Sequence, residues 1–256
     1  MRMADALTDA FMSEVETEIP DDQLPRSQQE AERVRDEAFK SIAAARAWKL
    51  GATIAIVRKG LGLSRAFFGP IPASCVFEDG AELRGFHTRL RGVESEYGFE
   101  LARDVQPDDL ECDDDDFRGL FACVRPAIEI PGTRYRSLGQ YGGLALVADF
   151  GAVGGLVIGP ARPVVDVVRI NKGAVRLFFS QRQVAAGSAE GIEGGAMAPL
   201  RVFLRQATQA GYALRAGQTI VTGSCTGYVQ APLNEPIRVT FDALDASVSM
   251  TFVDGK

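Results

Sequence analysis

The segment Arg91 to Leu101, RGVESEYGFEL, constrains this chain more than any other. Alternate side chains of an extended strand stand on opposite faces, so Glu94 and Glu96 point one way and Val93, Tyr97 and Phe99 the other. The Cβ atoms of the two glutamates then lie about 7 Å apart, close enough to share one ion. Two carboxylates within an otherwise apolar strand are costly unless a cation or basic partner compensates them. A third carboxylate, Glu129, is flanked by apolar residues in PAIEIP, Pro126 to Pro131. Two readings fit these residues. Either Glu94 and Glu96 line the wet face of a surface strand, or the three carboxylates converge on a hard divalent cation with positions left for substrate oxygens.

Composition narrows the function classes. A chain of 256 residues holds one large core or two modest domains. Its formal charge of -6, with no Lys/Arg cluster interleaved with aromatics, argues against a nucleic-acid partner. Cys75, Cys112, Cys123 and Cys225 lack C-x-x-C spacing, and His87 is the single histidine. Those residues exclude a conventional Cys/His zinc site and give no disulfide framework. The acidic start, MRMADALTDAFMSEVETEIPDD, has no signal-peptide hydrophobic region, and no apolar run reaches membrane-spanning length. A cytoplasmic location without a membrane partner is the expectation.

Periodicity predicts the elements. A helix is expected from Ala4 to Val15, with Leu7, Phe11 and Val15 on one face. Ser27 and Glu30 form a capping box that opens a second helix running to about Trp48. Trp48 to Thr53 then reads as a helix end or a short strand entering a glycine turn. Lys49 lies there in apolar company, one of five lysines in the chain, and is either a snorkelling surface amine or a proton-transfer group. RAFFGPIPAS, Arg65 to Ser74, is expected to be a structured loop near the core. Asp113 to Asp116 lacks calcium-loop spacing and is expected to cap a helix containing Phe117, Leu120 and Val124. The glycines from Gly151 to Gly155 match no dinucleotide or phosphate-loop fingerprint and instead permit close backbone approach.

Strands are expected at Leu156–Ile158, Val164–Val168 and Ala174–Phe179, the last two joined by a turn that includes Lys172. A helix follows near Pro199 to Ala210, then a strand from Gln218 to Thr222 ending in GSCTG. Ser224 and Thr226 beside those glycines make a small-anion site. Ile237–Phe241 and Val248–Val253 close the chain as paired strands. The predicted architecture is a single α+β domain on mixed or antiparallel sheet. Residues 1–60 form an N-terminal helical region packed on a β-rich core of residues 61–256.

The succession WKLGAT, RGVESEYGFEL, RPAIEIP, ADFGAVGGLVIG and TGSCTG resembles the fumarylacetoacetate hydrolase superfamily across about Pro25 to Val253. Within it, the resemblance is to the 2-keto-4-pentenoate hydratase and 4-oxalocrotonate decarboxylase branch. It implies a β-roll-like α+β fold with a mixed sheet, assembled as a homodimer or larger homo-oligomer. It further implies Mg²⁺ or Mn²⁺ held by Glu94, Glu96 and Glu129, with Lys49 as the active-site lysine. Ser224, Thr226 and Asp149 are implied on the substrate side, the substrate being a short 2-oxo acid. The expected activity is a lyase reaction, hydration of a 2-hydroxydienoate through an enolate that the metal stabilises. Acylpyruvate hydrolysis, decarboxylation of a 2-oxo diacid, and a non-catalytic subunit in complex with a related enzyme are the alternatives.

Three departures from the branch bear on this expectation. Ala66-Phe67-Phe68-Gly69 puts Phe67 where hydratases carry an acid, and Phe150 follows Ala148-Asp149 where an amide is usual. Both are expected to make the pocket less polar. Asn234-Glu235-Pro236 replaces a P-G-D turn, and His87 is the candidate to replace a missing acid or base.

Overall fold

The structure, a computed structural model, describes residues 1–254. Two helices, α1 (Met3–Ser13) and α2 (Gln28–Lys40), precede strand β1 (Ala45–Gly51). Leu7 and Phe11 of α1 are buried, whereas Val15 lies beyond the helix end and is exposed. Ser27 caps α2 by accepting from the Glu30 amide (3.2 Å), and the Glu30 carboxylate returns to the Arg26 amide (2.9 Å). The helix stops at Lys40, well before Trp48. From Ala45 onward the side chains alternate between two buried faces: Ala47 and Lys49 face one way, Trp48 and Leu50 the other. The N-terminal region is therefore not helical to residue 60, because β1 is an interior strand of the main sheet.

The chain continues through α3 (Ala55–Gly60), β2 (Phe67–Pro72), β3 (Val76–Glu78), β4 (Ala81–Leu83) and β5 (Gly92–Leu101). Next come α4 (Asp114–Gly119), β6 (Phe121–Pro131), α5 (Gly142–Ala148), β7 (Val153–Ile158) and α6 (Val167–Lys172). The remainder is β8 (Val175–Phe179), β9 (Arg182–Gly187), α7 (Met197–Gln209), β10 (Thr219–Val221), β11 (Val229–Gln230), β12 (Ile237–Phe241) and β13 (Ala246–Phe252). The larger sheet has the order β2-β1-β10-β5-β6-β7-β3, with β11 added to β5. The smaller sheet runs β4-β13-β12-β8-β9. Each sheet mixes parallel and antiparallel pairs, giving the α+β architecture expected.

Three local expectations are corrected. RAFFGPIPAS is not a loop: Phe67 to Pro72 pairs antiparallel with β1, and its two prolines are tolerated because β2 is an edge strand. Val164 to Val168 is not a strand, because the Asp166 side chain accepts from the Val168 and Arg169 amides (2.8 and 3.3 Å) and starts α6. Lys172 thus sits in the last turn of a helix. Asp113 does cap α4, but Val124 belongs to β6.

The main sheet is covered on both sides. Trp48, Leu50, Val93, Tyr97 and Phe99 join Leu177, Val239 and Val248 of the second sheet and Phe203 of α7 in one apolar cluster. Ala47, Phe67, Ile71, Ala127, Leu156 and Val221 join Leu7, Phe11, Ala31, Phe39 and Ala145 of the helices in another. The sheet also rolls until its two ends approach. Gly69 of β2 packs at Val153 of β7, although four strands separate them in the pairing order. A Cβ at Gly69 would stand 2.3 Å from the Phe150 carbonyl oxygen and 2.9 Å from Val153 Cγ2. Backbone cannot yield as a flexible side chain can, so Gly69→Ala is expected to destabilise the fold by about 1–3 kcal/mol. Urea denaturation checks this, and an unchanged midpoint would show that the roll does not depend on this approach.

Candidate active site

Register brings the carboxylates together. In the antiparallel pair β5–β6, Glu94 stands directly opposite Glu129, and Glu96 opposite Ala127. Like charges directly opposed across a sheet are destabilising, so this register demands a counter-charge. One carboxylate oxygen from each of Glu94, Glu96 and Glu129 lies within 4.8 Å of the other two. Glu129 is 0% exposed, Glu96 is buried and Glu94 is half-buried. Neither oxygen of Glu129 has a hydrogen-bond donor, nor does Glu96 Oε1, while Glu96 Oε2 accepts from the Gly223 amide (2.8 Å). Buried carboxylate oxygens without donors are costly. An all-oxygen set of this kind fits Mg²⁺ or Mn²⁺, which would supply the missing partner.

Lys49 brings an ammonium to the cluster, with Nζ 3.5 Å from Glu129 Oε1. Two strands, β10 and β5, lie between β1 and β6, so a flat sheet would hold these strands about 14 Å apart. Curling of the sheet and the length of the lysine close that gap. Burial works against the Lys49 charge, but Glu129, Glu94 and Glu96 together outweigh it and hold its pKa above the ordinary lysine value. Burial pushes the Glu96 carboxyl up to about 8, with Glu94 adding and Lys49 and the Gly223 amide opposing. Burial likewise raises Glu129 well above the carboxylate range, opposed by Lys49 and reinforced by Glu94 and Glu96. One ammonium does not balance three carboxylates.

The other expected site residues are placed less uniformly. Ser224 follows the glycine that holds Glu96, and its Oγ is buried without a partner. Thr226 bonds to Ser95 Oγ (3.0 Å), and Ser95 is on the opposite face of β5 from the glutamates, so Thr226 does not join them. Asp149 is already engaged on both oxygens: Oδ2 accepts from Thr133 Oγ1 (2.5 Å) and the Arg134 amide (2.9 Å), and Oδ1 from Arg134 Nε (2.5 Å). It neutralises a fully buried arginine and is itself buried, so its carboxylate is engaged within the fold. Lys172 is exposed, without an ion pair among the described residues.

Strand parity separates the phenylalanines. Phe67 shares the inner face with Lys49, whose Nζ lies 5.6 Å from its ring centre. Phe68 faces the other way, against Trp48, Phe203 and Tyr212, beneath the Arg35 guanidinium. The Phe150 ring packs between the helices on Phe11 and Phe39, so its replacement of an amide does not act through the polarity of the carboxylate cluster. His87 stacks on Phe11 (4.3 Å between ring centres) and lies 4.0 Å from Glu14. Its ring contacts are with Phe11, Phe86 and Glu14 rather than with the carboxylate cluster.

Sequence reasoning missed two residues. Arg134 carries no spacing signal, being one arginine in a loop. Tyr228 lies over Gly92, where a Cβ would come 2.2 Å from its ring, on the face of β5 that bears Glu94 and Glu96. The glycine opening the RGVESE strand was the available clue.

No family model matches the chain. A 4-oxalocrotonate decarboxylase from Pseudomonas sp. is 30% identical to it over 184 residues, which is 71% of this chain and 68% of that protein. The chain belongs to the fumarylacetoacetate hydrolase superfamily, in its 4-oxalocrotonate decarboxylase-like branch. Within the superfamily, the fold matches 4-oxalocrotonate decarboxylase from Pseudomonas putida G7, complexed with magnesium and adipate. That match has a TM-score of 0.83 at 18% identity, over 98% of this chain and 95% of the other. Fumarylpyruvate hydrolase from Pseudomonas aeruginosa, in complex with Mn²⁺ and pyruvate, matches with a TM-score of 0.59 at 16% identity, over 83% and 91%. No described helix of this superfamily member is long and apolar enough to cross a membrane.

The placement of His87 has a consequence for stability. Burial, then the charges of Arg134 and Arg89, push its pKa down to about 4. The unfolded chain binds this proton up to about pH 6.5, so protonation favours unfolding. His87 therefore contributes stability above pH 6.5 that is lost as pH falls towards 4, by about 2–3 kcal/mol. Denaturation of wild type and His87→Phe across pH 4 to 7.5 measures this, and parallel pH profiles would overturn it.

Proposed function

We propose that this superfamily member is a divalent-metal-dependent lyase acting on a short 2-oxo acid, with decarboxylation of a 2-oxo diacid favoured. The carrying observation is the buried cluster of Glu94, Glu96 and Glu129, with three oxygens lacking donors, set against Lys49. Sequence alone puts hydration of a 2-hydroxydienoate first. Two observations reverse that order. The relative sharing 30% identity is a 4-oxalocrotonate decarboxylase. Hydration and acylpyruvate hydrolysis both need a group that handles water, yet Phe67 stands where hydratases carry an acid and His87 packs on α1. Decarboxylation needs chiefly an electron sink and a proton donor.

Glu94, Glu96 and Glu129 would hold Mg²⁺ or Mn²⁺, which, when bound, draws electron density from the 2-oxo group and stabilises the charge left as CO₂ departs. Lys49, kept cationic by its neighbours, orients the substrate head through its ammonium and donates a proton to the enolate left when CO₂ departs. Phe67 walls this end of the site with apolar surface, and the unpartnered Ser224 hydroxyl takes a substrate oxygen. Assembly as a homo-oligomer belongs to the same reading.

Glu94→Gln is expected to weaken Mg²⁺ binding about 10- to 100-fold by calorimetry while the circular dichroism spectrum is kept. Equal affinity would remove Glu94 from the ligand set. Lys49→Met is expected to lower kcat about 10²- to 10⁴-fold and to leave metal binding largely intact. Mass spectrometry of products from an unsaturated 2-oxo diacid and a 2-hydroxydienoate separates the reactions. Loss of CO₂ supports the first choice, and gain of water restores hydration. Turnover seen only after a second protein is added would make the chain a partner subunit.

A further inference from the structure

The carboxylate cluster meets solvent through one of its members. Lys49, Glu96 and Glu129 are buried and Glu94 is half-buried, so a ligand whose head lies at the cluster extends outward past Glu94. What stands beside Glu94 is set by how the chain returns along β5. Val221 of β10 is opposite Gly98, and Val229 of β11 is opposite Val93. Eight steps of the returning chain thus pass five of β5, and the surplus loops out as the GSCTG turn, whose Gly223 amide holds Glu96. Pairing then resumes, with Gln230 opposite Gly92. Continued by one residue from Val229, the same register sets Tyr228 opposite Glu94, on the side away from Glu129.

Tyr228 is braced in that position. The Cβ that Gly92 lacks would stand 2.2 Å from Tyr228 Cε2 and 2.8 Å from its hydroxyl oxygen, so the distal end of the ring fills the space of the missing side chain. The hydroxyl donates to Gln230 Oε1 (3.2 Å), and Gln230 Nε2 donates in turn to the Leu90 carbonyl (2.7 Å). Burial, then Glu94, raises the hydroxyl above the ordinary tyrosine pKa, which puts it within the field of that carboxylate. With its proton committed to Gln230, Tyr228 offers a ligand its ring, and the residue is 46% exposed. A fixed aromatic ring favours a flat π-system over a puckered hydrocarbon of the same size. We infer that Tyr228 is the specificity-determining residue at the mouth of the site, its ring receiving a flat, unsaturated tail of the 2-oxo acid as that tail passes Glu94. The inference rests on the 2-oxo acid reading of the glutamate cluster, which places the head of the ligand at the glutamates.

Three ligands with one head test it: 2-oxobutanoate, 4-phenyl-2-oxobutanoate and 4-cyclohexyl-2-oxobutanoate, titrated by calorimetry into the full chain with saturating Mg²⁺. Wild type is expected to bind the phenyl compound about 3- to 10-fold more tightly than the cyclohexyl one, the range of one aromatic pair. Tyr228→Phe keeps the ring and is expected to hold that preference to within about twofold. Tyr228→Leu is expected to abolish it, while its affinity for 2-oxobutanoate stays within about twofold of wild type, because the head does not reach the ring. Equal binding of the two tailed ligands by wild type, a preference that survives in Tyr228→Leu, or its loss in Tyr228→Phe overturns the role of the ring and leaves the metal site standing. Loss of 2-oxobutanoate binding in Tyr228→Leu also overturns it, by making Tyr228 a structural support of the cluster. Failure of wild type to bind 2-oxobutanoate overturns the 2-oxo acid reading, and this inference with it.

Discussion

Three carboxylates and one ammonium shut inside a rolled sheet form the constraint on which the rest of this structure depends. Each of the four side chains is on the inner face because of strand parity, and each strand is in place because its opposite face is apolar. Trp48 and Leu50 alternate with Lys49; Val93, Tyr97 and Phe99 alternate with Glu94 and Glu96; Ile128 and Ile130 flank Glu129. The apolar faces bury against the second sheet and drive the fold, and the charged face is carried along at their expense. Closing the roll then sets Lys49 against Glu129. The closest backbone approaches of that closure fall where side chains are missing, at Gly69 against Phe150 and at Gly151 against Phe68.

A second buried charge pair shows why the first one reads as a site. Arg134 and Asp149 are as deeply buried as Glu129, yet their hydrogen-bonding groups are matched. Arg134 donates to the Asp149 carboxylate and to the Asp149 and Val153 carbonyls, and Asp149 gains Thr133 as well. A pair satisfied in that way anchors the loop after β6 to the end of α5 and needs nothing further. The glutamate cluster has the same chemistry and burial but lacks donors on three oxygens. Satisfaction, rather than burial or residue type, separates a structural charge pair from a binding centre here. The distinction also explains why Asp149, a reasonable substrate contact from its motif, is committed elsewhere.

Sequence reasoning reached what depends on local period and missed what depends on register. The shared face of Glu94 and Glu96 follows from a period of two, and the apolar flanks of Glu129 marked it as unusual. That Glu129 stands opposite Glu94 is a matter of how β5 and β6 slide against each other, and no spacing in the chain encodes it. Prolines misled the reading of Phe67 to Pro72, since proline argues against a strand only when both edges are paired. Val164 to Val168 looked like a strand because of its valines, and the capping oxygen of Asp166 overrode that propensity. Lys49 sat on the ambiguous boundary between helix and strand, so its burial could not be separated from surface snorkelling until β1 was seen inside the sheet.

The two departures from the hydratase pattern looked equivalent in sequence and are not equivalent in space. Phe150 is in a left-handed turn (φ +53°) beneath α1 and α2, where its ring fills the helical layer. Phe67 and Phe68 are neighbours on one strand with opposite parity, and only Phe67 borders Lys49. A single substitution therefore changes the chemical surroundings of the cluster, and it replaces a group able to hold water with an aromatic edge. Apolar surroundings disfavour a localised carboxylate more than the neutral CO₂ and delocalised charge into which it divides. The same surroundings hinder a reaction that must position and deprotonate water. Under the decarboxylase reading proposed above, the apolar wall beside Lys49 is what favours loss of CO₂ over addition of water.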